Sequence, residues 1–591
     1  MKRISATLFA SAALLAAASA SVACTPMGVG PKATADGSIL VAHTCDSWYD
    51  ARVRVVPGGE HQPGEMVDVK IVSCMDSRPG RSLTVAGQIP QAERTYTYFH
   101  IGYPFLNEHQ VMIGEHTWTG RDEVQSASGL FYIENLEALG LQRGKTAREV
   151  IKVMGELAEK YGYGDGGEGL VISDGKELWV FEICGAGLLW TKDSGKPGAI
   201  WAARRVPDDE FFVGANRSRL GVIDFNDKDN FMYSANITAL AEEMGWWKKG
   251  EPFNFSHIFD NGSYGEAAKN SFGSSRREWR AFDIVAPSLK LTPGSGLQDY
   301  PFSVKPDHKL TVQDLEKIYS DHLEGTPYDM TKGLAAGPFG SPARFRPQKP
   351  KHDMEDRKAW ASWERAIAVP QCSYSFIGQT RADLPAAIGG VLWFGLAAPD
   401  TTVYTPIYAG VTELPQNWGD NDRVNFNTEN PWWAFNFVQQ WAQHRWDMMY
   451  PEIRAKKATI EQRYFDAQPG VEKLALELYA KDPAAAKAFL TNYCATNMKA
   501  LEKDWWGFAA QLISKYGQMP FYVEDNKIKQ PGYNPAWLKA VDFGGTMADD
   551  VKNETITAFC SYQAILNTNG NSFISFNPNT SFNLRATTAQ E

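Results

Sequence analysis

The stretch that decides the fold lies near the start of the chain, at residues 24–46: CTPMGVGPKATADGSILVAHTCD. Residues 25–34 and 39–44 are rich in strand-forming residues, and the tetrapeptide ADGS at 35–38 is typical of a tight turn. We therefore predict a β-hairpin. The turn brings Asp46, which follows the second strand, back towards Cys24, which opens the first strand.

The residues before Cys24 have the composition of a signal peptide. The chain begins with the basic tripeptide MKR, residues 4–20 are apolar and rich in alanine, and Ser-Val-Ala at 21–23 matches the small-x-small pattern that signal peptidase recognises. Cleavage after residue 23 would make Cys24 the first residue of a secreted or periplasmic chain. No later stretch is apolar enough to predict a membrane span.

A cysteine at a free amino terminus combines two reactive groups. Its α-amino group titrates near ~7.7–8.0 and its thiol near ~8.5, so the amine can accept the thiol proton and the thiolate can attack an amide carbonyl. Two other interpretations stay open. Cys24 could be acylated as in lipoproteins, although Ser21 stands where those signals carry a large aliphatic residue, or it could form a disulfide. Asp46 could hold the ammonium or orient a substrate amine, or it could be a solvated loop residue.

Composition excludes several classes of protein. The chain has 591 residues, a net charge of −10 and 12% aromatic residues, which argues against disorder and against nucleic acid as a partner. It has seven cysteines, which would allow disulfides in an exported chain, but no CxxC or HExxH spacing, so we expect neither a metal nor a cofactor. The glycine-rich run at 164–169 fits GxGxxG by letter, yet it follows a predicted helix and precedes a predicted strand, the reverse of a dinucleotide-binding site.

Residues 24–46 resemble the mature start of the dipeptidase A family of N-terminal-nucleophile (Ntn) cysteine peptidases, which are related to bile-salt and penicillin V amidases and to secernins. Five further blocks match in order, and together they extend the resemblance to about residue 520. These blocks are NEHQVMIGEHTWTGR at 107–121, EGLVISDGKELWVFEICG at 168–185, WAARRVPDDEFFVGANRSRLGV at 201–222, SSRREWRAFDIVAPS at 274–288 and NPWWAFNFVQQWAQ at 430–443.

The resemblance implies roles for individual residues. Cys24 would be the nucleophile and, through its own amine, the general base, and Asp46 would match the carboxylate that contacts that amine or the substrate. Asn107 and Asn216 would match amides near the oxyanion hole, although either could simply cap a turn. An arginine among 276, 277 and 280 would line the site, and we select Arg277.

One position departs from the related amidases, which carry an arginine three residues before the matching aspartate. This chain has His43 there, in the tetrapeptide His-Thr-Cys-Asp. Histidine titrates near ~6.5, so its charge is not fixed as that of arginine is. His43 could bind a substrate carboxylate, or it could be a half-buried structural histidine.

Strand and helix patterns alone indicate an α+β protein. The resemblance implies more, namely the αββα sandwich of Ntn hydrolases, with two packed antiparallel sheets between helical layers and a helical C-terminal region. The predicted segments are a signal peptide at 1–23, a catalytic domain at 24–425, a helical region at 426–520 packed on it and an extension at 521–591. Within them we predict helices at 146–161 and 312–323, an exposed loop at 335–352, helices from 430 to about 516 and a frayed tail after 578.

These observations favour an exported cysteine dipeptidase that cleaves small peptides without a cofactor. A non-peptide N-acyl amidase of the same superfamily and a non-catalytic surface lipoprotein acylated at Cys24 are the alternatives. A homo-oligomer is compatible with the sequence, which does not determine the number of subunits.

Overall fold

A computed structural model of the chain describes residues 24–71, 83–118, 120–264, 272–293, 299–344, 364–518 and 521–543. The predicted signal peptide, the second half of the loop at 335–352 and the tail after 578 lie outside these ranges. So do two of the seven cysteines, Cys74 and Cys560.

The described strands, in chain order, are β1 (Met27–Val29), β2 (Ile39–Cys45), β3 (Arg54–Val56), β4 (Gly59–Glu60), β5 (Met66–Ile71), β6 (Thr84–Pro90), β7 (Arg94–Thr95), β8 (Tyr98–His100), β9 (Leu106–Asn107), β10 (Met112–Trp118), β11 (Gly167–Ser173), β12 (Leu178–Gly185), β13 (Ala199–Arg205), β14 (Phe211–Val213), β15 (Phe231–Tyr233), β16 (Ser303–Val304), β17 (Tyr374–Thr380), β18 (Val391–Leu396), β19 (Thr405–Tyr408), β20 (Tyr522–Glu524) and β21 (Lys527–Lys529). The described α-helices are α1 (Ile133–Arg143), α2 (Ala147–Tyr161), α3 (Ala239–Glu243), α4 (Phe255–Phe259), α5 (Phe272–Val285), α6 (Val312–Tyr319), α7 (Ala386–Gly389), α8 (Gln416–Gly419), α9 (Pro431–Ala442), α10 (Trp446–Tyr479), α11 (Pro483–Tyr516) and α12 (Pro535–Ala540).

The predicted hairpin, β1 and β2, lies inside a seven-stranded antiparallel sheet with the order β16-β14-β1-β2-β17-β18-β19. Met27 of β1 pairs with Ala42 of β2 on one side and with Val213 of β14 on the other. β1 is shorter than the predicted strand at 25–34 because Pro26 and Pro31, which flank it, have no backbone N–H to donate to a ladder. β2 has the predicted start and extends to Cys45.

An eight-stranded antiparallel sheet, with the order β15-β13-β12-β11-β10-β9-β8-β3, packs against the first one. Two glycines allow the close approach. A Cβ on Gly28 of β1 would lie 2.9 Å from Leu178 Cδ2, and a Cβ on Gly114 of β10 would lie 2.9 Å from the carbonyl oxygen of Ala42. β1 and β2 therefore lie at the boundary between the two sheets, with β2 packed against β10 and β11.

Helices pack against both sheets. α1 contacts β8 and α2 contacts β12 and β13, while α5 contacts β14 and α6 contacts β2 and β17. α2 matches its prediction: the Thr146 hydroxyl accepts a hydrogen bond from the backbone N–H of Glu149, and the apolar face is buried. α6 starts at the predicted residue but ends at Tyr319, four residues early.

The predicted helical C-terminal region consists of three helices, α9, α10 and α11, which contact β18 and β19. The prediction that the chain is helical from 430 to about 516 is confirmed. α10 and α11 are continuous helices of 34 residues each, and α10 contains Pro451 and Pro469, which sequence rules treat as helix ends.

The described chain is thus an α+β protein built on antiparallel sheets, as the strand and helix patterns predicted. The glycine-rich run at 164–169 follows α2, and its last three residues are the start of β11, so it has the helix-before-strand context that argued against a dinucleotide site. None of the helices described is both long enough and apolar enough to cross a membrane.

Candidate active site

Cys24 lies three residues before the first residue of β1, Met27, and is completely buried. Because β1 and β2 are antiparallel with Met27 opposite Ala42, continuing this register by three residues places Cys24 opposite Cys45. The hairpin therefore brings the proposed nucleophile next to the end of β2 and to Asp46, as predicted.

Arg277, on α5, binds the backbone and neighbours of Cys24 directly. Its Nη1 donates to the carbonyl oxygen of Cys24 at 2.9 Å and to Thr25 Oγ1 at 2.7 Å, and its Nη2 donates to Asn216 Oδ1 at 2.8 Å. With 1% of its surface exposed, this guanidinium is held inside the protein by oxygen acceptors. Arg277 thus joins Cys24 to Asn216.

The other two candidate arginines have different partners. Arg276 forms an ion pair with Glu364, with Nε 3.0 Å from Oε1. Arg280 forms an ion pair with Asp321, with Nη2 2.7 Å from Oδ2. Of the three arginines considered from the sequence, Arg277 is the one that the structure places on Cys24.

Asp46 is buried at the end of β2 and is held by a second arginine. Arg365 Nη2 lies 2.6 Å from Asp46 Oδ2, and the Thr44 hydroxyl donates to the same oxygen at 3.0 Å. Burial raises the pKa of Asp46, while the charges of Arg365 and Arg277 oppose that shift. Its other oxygen, Oδ1, is buried with no nitrogen or oxygen donor among the described residues.

Asn216 adopts a left-handed backbone conformation, with φ of 62°, just after β14. This conformation is tolerated by asparagine better than by most residues. Its Nδ2 donates to the carbonyl oxygen of Thr117 at 2.7 Å, and its backbone N–H donates to His116 Nδ1 at 3.2 Å. The strained loop and these contacts hold its side-chain amide beside Arg277.

Asn107 is used differently. Its Nδ2 donates both hydrogens to the carbonyl oxygens of Leu141 and Gly144, each at 2.9 Å, and its Oδ1 accepts from the backbone N–H groups of His109 and Val111, each at 3.0 Å. No amide hydrogen remains for an oxyanion. The predicted catalytic role of Asn107 is therefore not supported by its bonding, which is that of a residue fixing a turn to a helix end.

His43 is buried within β2, 1% exposed, rather than half-buried. Its Nε2 lies 3.4 Å from Glu115 Oε2 of β10, and its ring makes edge contacts with Tyr103, Tyr374 and Phe376. The group facing this imidazole is thus a carboxylate of the protein itself, whereas one of the two sequence-based interpretations gave His43 a substrate carboxylate as its partner.

The surroundings of Cys24 disfavour an isolated thiolate. Burial, the hydrogen bond with Cys45 and the charges of Glu115 and Asp46 all raise the pKa of Cys24 well above its usual value. Burial likewise raises the pKa of Cys45 to about 12. A thiol in this environment needs a base beside it in order to act as a nucleophile.

Sequence reasoning missed three residues of the site: Arg365, Glu115 and Tyr319. The Tyr319 hydroxyl donates to the carbonyl oxygen of Thr25 at 2.8 Å. One sequence signal pointed to such an arginine: related amidases carry an arginine three residues before the matching aspartate, and this chain has His43 there, so another residue has to pair with Asp46. Here a guanidinium reaches Asp46 from a position 319 residues further along the chain.

The family model described as "Peptidase family C69" matches residues 23–459, which include every residue of this cluster. The chain belongs to peptidase family C69. It is a peptide-bond hydrolase, as the resemblance to dipeptidase A predicted.

Curated relatives agree with this assignment. The peptidase is 27% identical over 423 residues to "Dipeptidase A" of Lactobacillus helveticus, covering 68% of this chain and 79% of that protein. It is 26% identical to "Probable dipeptidase" of Latilactobacillus sakei, and the match covers 63% of this chain and 69% of that protein. It is 27% identical to "Probable dipeptidase" of Salmonella dublin, and the match covers 66% of this chain and 82% of that protein. The family match ends inside α10, so it passes the domain boundary predicted at residue 425.

Proposed function

We propose that the peptidase is an exported Ntn cysteine dipeptidase, matured by removal of residues 1–23 and acting through Cys24. The convergence of Arg277, Asn216 and Asp46 on one buried cysteine carries the proposal. The names of the curated relatives support short peptides as substrates. The two packed antiparallel sheets with helices on each support the αββα sandwich of this superfamily.

The mechanism follows from the groups beside Cys24. The α-amine of the processed chain accepts the thiol proton, and the thiolate attacks the carbonyl carbon of the scissile bond. The amine then returns the proton to the departing amino group, which leaves a thioester on Cys24. Water, deprotonated by the same amine, attacks the thioester and releases the first amino acid.

The remaining residues position these groups. Arg277 fixes the carbonyl oxygen of Cys24, and thereby the orientation of its amine and thiol. Asp46 Oδ1, which has no nitrogen or oxygen donor in the described chain, accepts a hydrogen bond from the ammonium of Cys24 or from the substrate's own amine. The Asn216 amide uses one hydrogen for Thr117, and its second hydrogen is assigned to the oxyanion, where one such donor is worth about 3–4 kcal/mol.

The decisive experiment measures the mature terminus and the activity together. Intact mass of protein recovered after export should match a chain that begins at an unmodified Cys24. Cys24→Ala should lower kcat/KM on a dipeptide by about 10⁴-fold or more while circular dichroism stays unchanged. Cys494→Ala, which removes a buried thiol from α11, is the matched control and should retain activity.

A second variant isolates the role of the amine. One extra residue inserted before Cys24 keeps the thiol but replaces the amine by an amide, so turnover should be lost. Full activity of either the inserted variant or Cys24→Ala would refute the mechanism. Preference for N-acyl amino acids over dipeptides would favour a non-peptide amidase, and a mass increased by fatty chains would identify a lipoprotein.

A further inference from the structure

Three potential metal ligands meet at the proposed nucleophile. One ligand atom each from Cys24, His43 and Cys45 lies within 4.8 Å of the others, and all three residues are buried. Strand geometry explains this cluster. His43 and Cys45 are two residues apart on β2, so they share a face, and Cys24 stands opposite Cys45 in the register of β1 and β2.

The donor set is one that soft divalent cations prefer. Two thiolates and an imidazole match the sulfur and nitrogen ligands of tetrahedral zinc sites, and thiolates select soft metals over calcium or magnesium. With Zn–S bonds of about 2.3 Å, tetrahedral geometry separates the two sulfurs by about 3.8 Å. The three ligand atoms already lie within 4.8 Å of one another, so only small side-chain movements are needed to bring them to bonding distance of one ion.

The neighbouring groups also favour a cation. Glu115 Oε2 lies 3.4 Å from His43 Nε2, so its buried carboxylate places an acidic group beside the cluster. His43 Nε2, Glu115 Oε2 and Asp46 Oδ1 are buried polar atoms without a hydrogen-bond partner of good geometry among the described residues. The two nearby guanidiniums are already engaged, Arg365 with Asp46 and Arg277 with oxygens around Cys24.

We propose that Cys24, His43 and Cys45 form a binding site for a thiophilic divalent cation of the Zn²⁺ class, and that the bound ion reversibly blocks the nucleophile. Binding replaces the two thiol protons by one metal ion, so two protons are released and no oxidant is needed. The fourth position of the ion would be taken by water or by the amine of the processed Cys24. The inhibition rests on the proposed role of Cys24, whereas the binding does not.

Cadmium tests the binding separately from the activity. The mature peptidase, kept reduced by a phosphine, is titrated with Cd²⁺ and followed by the ultraviolet absorbance of cadmium–thiolate bonds. We expect saturation at one ion per chain, with an intensity typical of two thiolates. Cys24→Ala and Cys45→Ser should each halve this intensity. Absence of a thiolate band with stoichiometric Cd²⁺ would overturn the proposal, whatever the catalytic role of Cys24.

Zinc tests the consequence for activity. Because loss of an outer-shell partner already weakens metal binding by about 10–100-fold, loss of a direct ligand in Cys45→Ser should raise the Zn²⁺ concentration for half-inhibition by at least about 100-fold. Cys184→Ser, another buried free thiol, is the matched control and should keep the wild-type value. Equal inhibition of the wild type and Cys45→Ser would contradict the proposed site. Should Cys24→Ala stay active while wild type shows the thiolate band, the mechanism would fail and the metal site would stand.

Discussion

Replacing Arg277 by lysine tests how the proposed nucleophile, Cys24, is held. The guanidinium reaches both sides of the site, since Nη1 donates to Cys24 and Thr25 while Nη2 donates to Asn216 at 2.8 Å. A lysine keeps the charge but has one nitrogen at the end of a flexible chain, so it cannot bridge the two groups. Either the carbonyl oxygen of Cys24 or the side chain of Asn216 loses its donor.

The magnitude follows from the bonds lost. A hydrogen bond to a charged donor contributes about 1.5–3 kcal/mol, and Arg277→Lys forfeits one or two of them on one side of the site. A loss of about 3 kcal/mol in transition-state positioning corresponds to a decrease of about 100-fold in kcat. KM should change much less, because Arg277 contacts the protein's own atoms in this arrangement.

The assay is steady-state hydrolysis of a dipeptide, with kcat and KM determined separately and the mature terminus verified by mass. Arg276→Lys is the matched control, because Arg276 precedes Arg277 on α5 and pairs with Glu364. It should keep kcat within about threefold, as expected of a residue outside the positioning network. If a folded, correctly processed Arg277→Lys keeps kcat within about fivefold, or if Arg276→Lys loses as much, our account of Arg277 is refuted.

Three further predictions concern stability, turn structure and thiols. Burial lowers the pKa of His322, but its hydrogen bonds with Asp400 and Glu324 outweigh burial and raise the pKa to about 9. The stabilisation from the charged imidazole is therefore fully present below about pH 6.5 and is lost as the pH rises through 9. His322→Gln should therefore lower the free energy of unfolding by about 3 kcal/mol at pH 6 and by clearly less at pH 10, measured by urea denaturation; an equal loss at both pH values would contradict this. Asn107→Ala should lower Tm and leave kcat of the folded enzyme little changed. Asn216→Ala should lower kcat by about 10²-fold or more. The reverse pattern would support the oxyanion role that the sequence gave to Asn107. Thiol titration of the unfolded, unreduced chain should find at least five free thiols, because the five described cysteines are unpaired; fewer would mean that they form disulfides.

Local signals explain which parts of the fold the sequence predicted. The Asp-Gly turn identified the hairpin that presents Cys24, and Thr146 with an amphipathic repeat identified α2. α5, which carries Arg277, was not predicted as a helix. Its sequence, FGSSRREWRAFDIV, contains buried arginines and serines where an apolar stripe would have revealed the period.

Contacts between distant residues account for what was missed at the site. Arg365 pairs with Asp46 although 319 residues separate the two in the sequence, and no spacing rule connects positions that far apart. The buried arginine was found only because the resemblance offered three candidates, and geometry then distinguished Arg277 from its neighbours. Asn107 was assigned from position alone, and its hydrogen bonds to backbone groups could not be read from the sequence.

The hairpin's location within its sheet has a consequence for biosynthesis. β1 pairs with β14, which starts at Phe211. β2 pairs with β17, in which Tyr374 lies opposite Cys45. Such long separations make pairing a late event in folding. The groups around Cys24 can therefore assemble only after translation has passed Tyr374, well over half of the 591-residue chain.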